Sequence, residues 1–98
     1  MTPRLVFRLG ARAEALDARD WYEARSLGLG LAFAQALDAT FEAIVQRPEA
    51  FARVRGELRQ ALLRRFPYSV LFAYDGDEVV VTTVHHHRRD PRRWQSRA

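Results

Sequence analysis

The 98-residue chain has no cysteine, and all 16 of its basic residues are arginine, with no lysine among them. Without thiols there is no disulfide framework and no zinc site built on thiolates, an absence compatible with a reducing compartment. The only strong metal-ligating side chains apart from carboxylates are three adjacent histidines, His85, His86 and His87. No apolar run approaches the roughly 18 residues needed to cross a bilayer. The first ten residues also lack the apolar stretch of roughly 7–15 residues that marks a secretory signal. The expected location is therefore the cytoplasm, with no membrane partner. At this length two domains are excluded, because roughly 100 residues are needed to surround one core. A hydrophobic share of 48% with 29% charged residues is the balance of a chain that folds, here as a single domain over residues 1–98.

Twelve acids oppose the arginines, for a net charge of +4. Up to Glu57 there are eight arginines and eight acids. From Leu58 onward eight arginines face only Asp75, Asp77, Glu78 and Asp90, so the second part carries the whole surplus. Arginine's planar fork suits phosphate and carboxylate, which directs attention to nucleic acid or an acidic protein as partner. A GC-rich genome also favours arginine codons, so placement carries more than the total.

Leu5, Phe7 and Leu9 alternate with Arg4, Val6 and Arg8, predicting a strand over 4–9 ended by Gly10. Residues 12–27 are rich in helix formers with apolar recurrence at three to four residues. Gly28-Leu29-Gly30 stops that helix, and so short a loop folds the next helix back on it. The second helix, over 31–46, lines Phe33, Leu37, Phe41, Ile44 and Val45 along one face, and Pro48 ends it. Residues 58–65, 68–75 and 78–86 then read as strands rich in Val, Phe, Tyr and Thr. Asp75-Gly76-Asp77 supplies a hairpin turn, and Phe66-Pro67 falls at a connection because proline cannot donate to a ladder. The predicted fold is α+β, β-α-α-β-β-β, with a helix hairpin packed on one face of a small antiparallel sheet and the first strand at an edge beside a later one.

Trp21-Tyr22-Glu23, Gly28-Leu29-Gly30, Pro48, Arg65-Phe66-Pro67-Tyr68 and the closing Val84, His86, Arg89 and Pro91 occur in an order and spacing that resembles the RelE/ParE toxin superfamily of bacterial toxin-antitoxin systems. The likeness spans nearly the whole chain and is nearer to the ParE branch, associated with plasmid stabilisation. It implies a small α/β toxin held inactive by a separately encoded, ParD-like antitoxin whose C-terminal segment wraps around it. ParE-type members act on DNA gyrase. RelE-type members are ribosome-dependent endoribonucleases that cut mRNA.

The residue inventory bears on that choice. Cutting RNA through its 2′-hydroxyl needs a base, an acid and cations on the phosphate. RelE-type toxins place lysines and arginines, with a tyrosine or histidine, on the sheet, and this chain has no lysine. Arginine is a poor base because its pKa stays above about 12. The nuclease alternative therefore falls to Arg59, Arg65, His86 and Arg89, with Arg64, Arg88, His85 and His87 nearby. His86 reads first as a strand-end residue whose ring bonds backbone, with Asp90 pairing to Arg88 or Arg89. On a strand only His85 and His87 share a face, too few ligands for a metal. No metal or other cofactor is expected.

For a toxin that works by binding, the expected target contacts are Arg65, Tyr68, Arg88, Arg89, Arg92, Arg93 and Trp94. Trp21 and Tyr22 read as the packing face of the first helix, and Phe33, Phe41, Phe66, Phe72 and Tyr74 as core. Tyr68 suits either core or groove rim. Trp94, among arginines, suits either a partner contact or packing on the sheet. Finally, Val79 and Val81 fall on one face of the last strand and Val80 and Val84 on the other. Helices cover one face only, so an apolar, acidic antitoxin segment is expected over part of the second.

Overall fold

The structure, a computed structural model, describes residues 2–88. The chain runs β1 (Arg4–Phe7), α1 (Leu9–Arg25), α2 (Leu29–Gln46), a single 3-10 turn (Pro48–Ala50), β2 (Arg53–Arg55), β3 (Leu58–Leu62), β4 (Tyr68–Tyr74) and β5 (Glu78–His86). The sheet order is β1-β5-β4-β3-β2, and the fold is α+β as the sequence predicts.

The first strand is shorter than the alternation implies. Its pairing with β5 ends at Phe7↔Val81, and the Arg8 N–H makes one last bond to the Val81 carbonyl. The Arg8 carbonyl then accepts the Arg12 N–H, so the chain turns directly into α1 with Gly10 inside its first turn. Leu9, which the alternation assigns to the strand, is 88% exposed. β1 takes the expected edge position but pairs parallel to β5, which corrects the all-antiparallel expectation. Parallel neighbours require a long connection, and the rest of the fold supplies it.

The helix hairpin turns on a charged cap. Gly28, at φ 87°, takes the left-handed conformation at the start of α2. The Glu23 carboxylate reaches over from α1 and accepts the N–H groups of Gly28 and Gly30, the latter at 2.9 Å. These are donors that the first turn of a helix otherwise leaves unsatisfied, and a negative charge suits the positive end of the helix dipole. On the sheet side, Phe33 and Phe72 are fully buried. Tyr22, Phe33, Phe66 and Tyr68 form one aromatic cluster with centroids 5.0–6.1 Å apart. Phe41 and Tyr74 are partly buried against the same core.

β2 is absent from the sequence reading, because a single valine between two arginines makes no alternating pattern, and all three residues are exposed. At the β4–β5 turn the Asp75 carboxylate accepts the N–H groups of Asp77 and Glu78, both at 2.9 Å, and Gly76 has φ 101°. Those two bonds hold the Asp75 carboxyl below its usual pKa.

The most consequential departure is a bulge in β5. Leu71 pairs with Thr83 but Phe72 pairs with Val81, so Thr82 is extra and the alternation slips by one. Val84 therefore joins Val79 and Val81 in the core against the helices, which corrects its expected place on the open face beside Val80. The Val84 N–H lies beyond the end of β1, and the Glu14 carboxylate of α1 accepts it at 3.0 Å. Thr82 Oγ1 donates to the Leu71 carbonyl, whereas Thr83 Oγ1 is buried without a hydrogen bond among the described residues.

Candidate functional site

Antiparallel register brings the β3–β4 connection and the end of β5 to one end of the sheet. Leu62 pairs with Ser69 and Tyr68 with His86, and the His87 N–H donates to the Pro67 carbonyl at 2.9 Å. Arg64, Arg65 and Arg88 are all exposed there. Arg65 has φ 70°, the one positive value at a non-glycine residue among those described. That conformation costs a side chain about 1–2 kcal/mol. It lets the chain reverse so that Phe66, 9% exposed, enters the aromatic cluster while Arg65 stays in solvent.

The titrating groups at this end are committed to structure. The His86 ring packs edge-on against Tyr68 with centroids 5.2 Å apart, and its Nδ1 accepts the Arg88 N–H at 3.0 Å. The strand-end reading of His86, with its ring bonded to backbone, matches this geometry. On the opposite face Gln60 Nε2 donates to Ser69 Oγ at 3.1 Å, and Ser69 Oγ lies 2.8 Å from His87 Nε2. Ser69 Oγ and His87 Nε2 thus share one hydrogen bond, whose direction follows the histidine's tautomer. Ser69 is fully buried, so this pair resembles a serine–histidine dyad without access for a substrate.

Arg59 is drawn elsewhere: its guanidinium donates to the Phe51 carbonyl at 2.7 Å and braces the chain entering β2. Arg59 pairs with Phe72 and His86 with Tyr68, which separates the two along β4 by four residues, about 13 Å. The quartet Arg59, Arg65, His86 and Arg89 is thus not one site among its described members. Arg89, Arg92, Arg93 and Trp94, together with Asp90 and Pro91, lie outside the described residues. His85 and His87 share a face with ring centroids 6.4 Å apart, and no group of three metal-ligating side chains occurs among the described residues.

The aromatic candidates divide. Tyr68 is 3% exposed and belongs to the core, in place of its expected target contact. Burial raises the Tyr22 phenol above its ordinary pKa, so it stays protonated at neutral pH. Trp21 is 48% exposed, which corrects its expected core role; the Arg25 guanidinium stacks on its ring at 3.6 Å. Sequence reasoning gave Glu14 no role and named Glu23 only within the motif of the resemblance, because their backbone partners lie 70 and up to seven residues away.

Comparison with known proteins accords with this arrangement. Residues 5–91 match the family described as the ParE toxin of type II toxin-antitoxin system, parDE. Among solved structures, the chromosomal ParDE TA system from P. aeruginosa contains a chain that superposes with a TM-score of 0.73 at 20% identity, covering 87% of this chain and 96% of that one. That likeness is one of fold. No curated protein matches the chain.

Proposed function

Because the chain belongs to the ParE toxin family of type II toxin-antitoxin systems, we propose that it inhibits DNA gyrase by binding, without covalent chemistry of its own, and that a cognate ParD-like antitoxin neutralises it. The observation that carries this reading is the basic end of the sheet. Arg64, Arg65 and Arg88 are exposed together, while Ser69 is buried and His86 packs on Tyr68, so among the described residues this end presents cations with His87 as its one exposed imidazole. Arginine forks suit an acidic protein surface or a DNA phosphate, both of which a DNA-handling enzyme presents. Arg89, Arg92, Arg93 and Trp94 continue the same basic run in sequence. The chain acts as one domain in the cytoplasm, and among the described residues no helix is long and apolar enough to cross a membrane.

The test is supercoiling of relaxed plasmid by purified gyrase with the full chain added. Inhibition is expected, with relief by stoichiometric antitoxin and about tenfold or greater loss of potency in Arg65→Glu/Arg88→Glu. In cells, DNA synthesis should fall before protein synthesis after induction. Unimpaired supercoiling together with ribosome-dependent mRNA cleavage would overturn the reading in favour of a nuclease.

A further inference from the structure

The C-terminal half of α1 overhangs the basic end of the sheet. Glu14 reaches Val84 in β5, and about two turns further on Tyr22 packs edge-on against Phe66 and Tyr68, with centroids 5.0 and 6.1 Å away. Trp21 in turn meets Tyr22 edge-on at 5.1 Å. It therefore stands two ring contacts from Phe66, whose chain neighbour is Arg65, and three from His86, which packs on Tyr68. Trp21 keeps 48% of its surface exposed all the same, and the tip of the hairpin beyond it exposes Leu27 and Leu31 at 95% and 63%. Residues four apart on a helix lie on one face, and the Arg25 guanidinium sits 3.6 Å over the Trp21 ring. No carboxylate pairs with Arg25 among the described residues. The stack holds two long side chains in place before any partner arrives, which removes part of the ordering entropy that binding otherwise loses.

We propose that Trp21 and Arg25 form a second anchor of the target contact, beside Arg64, Arg65 and Arg88, and that they seat on an apolar, acid-bearing patch of the gyrase protein and not on its DNA. Trp and Arg are the side chains that most often carry the binding energy of a protein interface. A protein patch answers both members of the stack: apolar surface covers the exposed part of the indole, and a carboxylate pairs with the guanidinium that has none of its own. The surrounding cations of the basic end favour the same acidic partner. Duplex DNA answers neither member well. An indole needs an unstacked base to lie against, and the exposed Asp17, one turn before Trp21 on the same face of α1, repels phosphate. Leu27 and Leu31 add apolar surface at the hairpin tip, which suits protein and not a polyanion. This inference rests on the gyrase reading above and assigns that contact a pair of residues which the run of arginines in the second half does not include.

The experiment is a titration of gyrase supercoiling with the full chain and three variants, alongside the affinity of each for the cognate antitoxin and for duplex DNA alone. Trp21→Ala and Arg25→Glu should each lose about tenfold or more in inhibitory potency. Trp21→Phe, which keeps an apolar ring under the guanidinium, should keep most of it. Antitoxin affinity should be unchanged in all three, a result that loss of fold would not give. Full potency in both Trp21→Ala and Arg25→Glu, where the unmodified chain inhibits, would overturn the anchor and leave the gyrase reading standing. Antitoxin affinity that falls in step with potency would assign the surface to the antitoxin, and DNA affinity of Trp21→Ala that falls in step would assign it to nucleic acid; either overturns the proposal. An unmodified chain that leaves supercoiling intact would overturn both readings. Should Trp21→Ala fail to fold, Arg25→Glu, which changes one exposed side chain, decides by the same criteria.

Discussion

At Gly30 the two helices meet with no room for a side chain. A Cβ there would sit 2.8 Å from the Arg19 carbonyl oxygen and 2.9 Å from Glu23, whose carboxylate caps α2. Alanine favours a helix over glycine by about 1 kcal/mol. That gain is outweighed here, because the nearest atom is backbone and cannot swing aside, and because displacing Glu23 also loosens the cap. Gly30→Ala is expected to destabilise the fold by about 1–3 kcal/mol. For a domain of this size that lowers the melting temperature by roughly 4–8 °C per kcal/mol, which thermal unfolding by circular dichroism would register. An unchanged or raised melting temperature would show that the helices part easily and that the glycine answers only to the turn. Gly28 differs: nothing lies within 4 Å of a Cβ there, and the positive φ alone selects glycine. The two glycines of one short motif thus serve different physical needs, one conformational and one steric.

Among the elements, β5 links the sheet to α1. Its bulge at Thr82 turns Val84 into the core and leaves the Val84 N–H without a strand neighbour, since β1 has already become α1. Glu14 supplies the acceptor. Removing it with Glu14→Ala leaves a buried donor unsatisfied and should cost about 1–3 kcal/mol in urea unfolding, whereas Glu14→Gln, which keeps a carbonyl oxygen, should recover most of that. Equal losses in the two variants would mean that the charge, and not the acceptor, matters. The same element shows what a sequence displays and what it hides. Both helices, the Gly28 turn, the Asp75 hairpin and the three long strands follow from period and turn chemistry. The bulge does not, because an inserted residue in a Val-Val-Val-Thr-Thr-Val run leaves hydrophobicity unbroken on either register. β2 is hidden for the opposite reason, having Val54 as its one apolar residue. At the site, the grouping of Arg64, Arg65 and Arg88 follows from the meander, since antiparallel strands return connections to the same end. The diversion of Arg59 to backbone carbonyls and of His86 onto Tyr68 depends on side-chain reach across strands, which no spacing along the chain encodes.

For the whole molecule, the important relation is that the exposed basic end, the target contact of the proposed function, shares a boundary with the groove beside Leu62. Arg64 and Arg65 belong to the basic end and also rim that groove, which runs between β3 and α2. A segment seated along the β3 edge would therefore cover cations that the proposed gyrase contact uses, and neutralisation would proceed by occupancy without any change of fold. Binding of the two partners would then be mutually antagonistic, and linkage requires the antagonism to be reciprocal: gyrase must weaken antitoxin binding by the same factor. Mixing the preformed toxin–antitoxin complex with immobilised gyrase should retain little of the chain, while the free chain is retained. Adding excess gyrase to labelled complex should release antitoxin in proportion. Both interactions should weaken as ionic strength rises, because exposed charges more than about 8–10 Å apart are screened at physiological salt. A stable ternary assembly of gyrase, toxin and antitoxin would separate the two surfaces and require that neutralisation act through a change in the toxin's conformation.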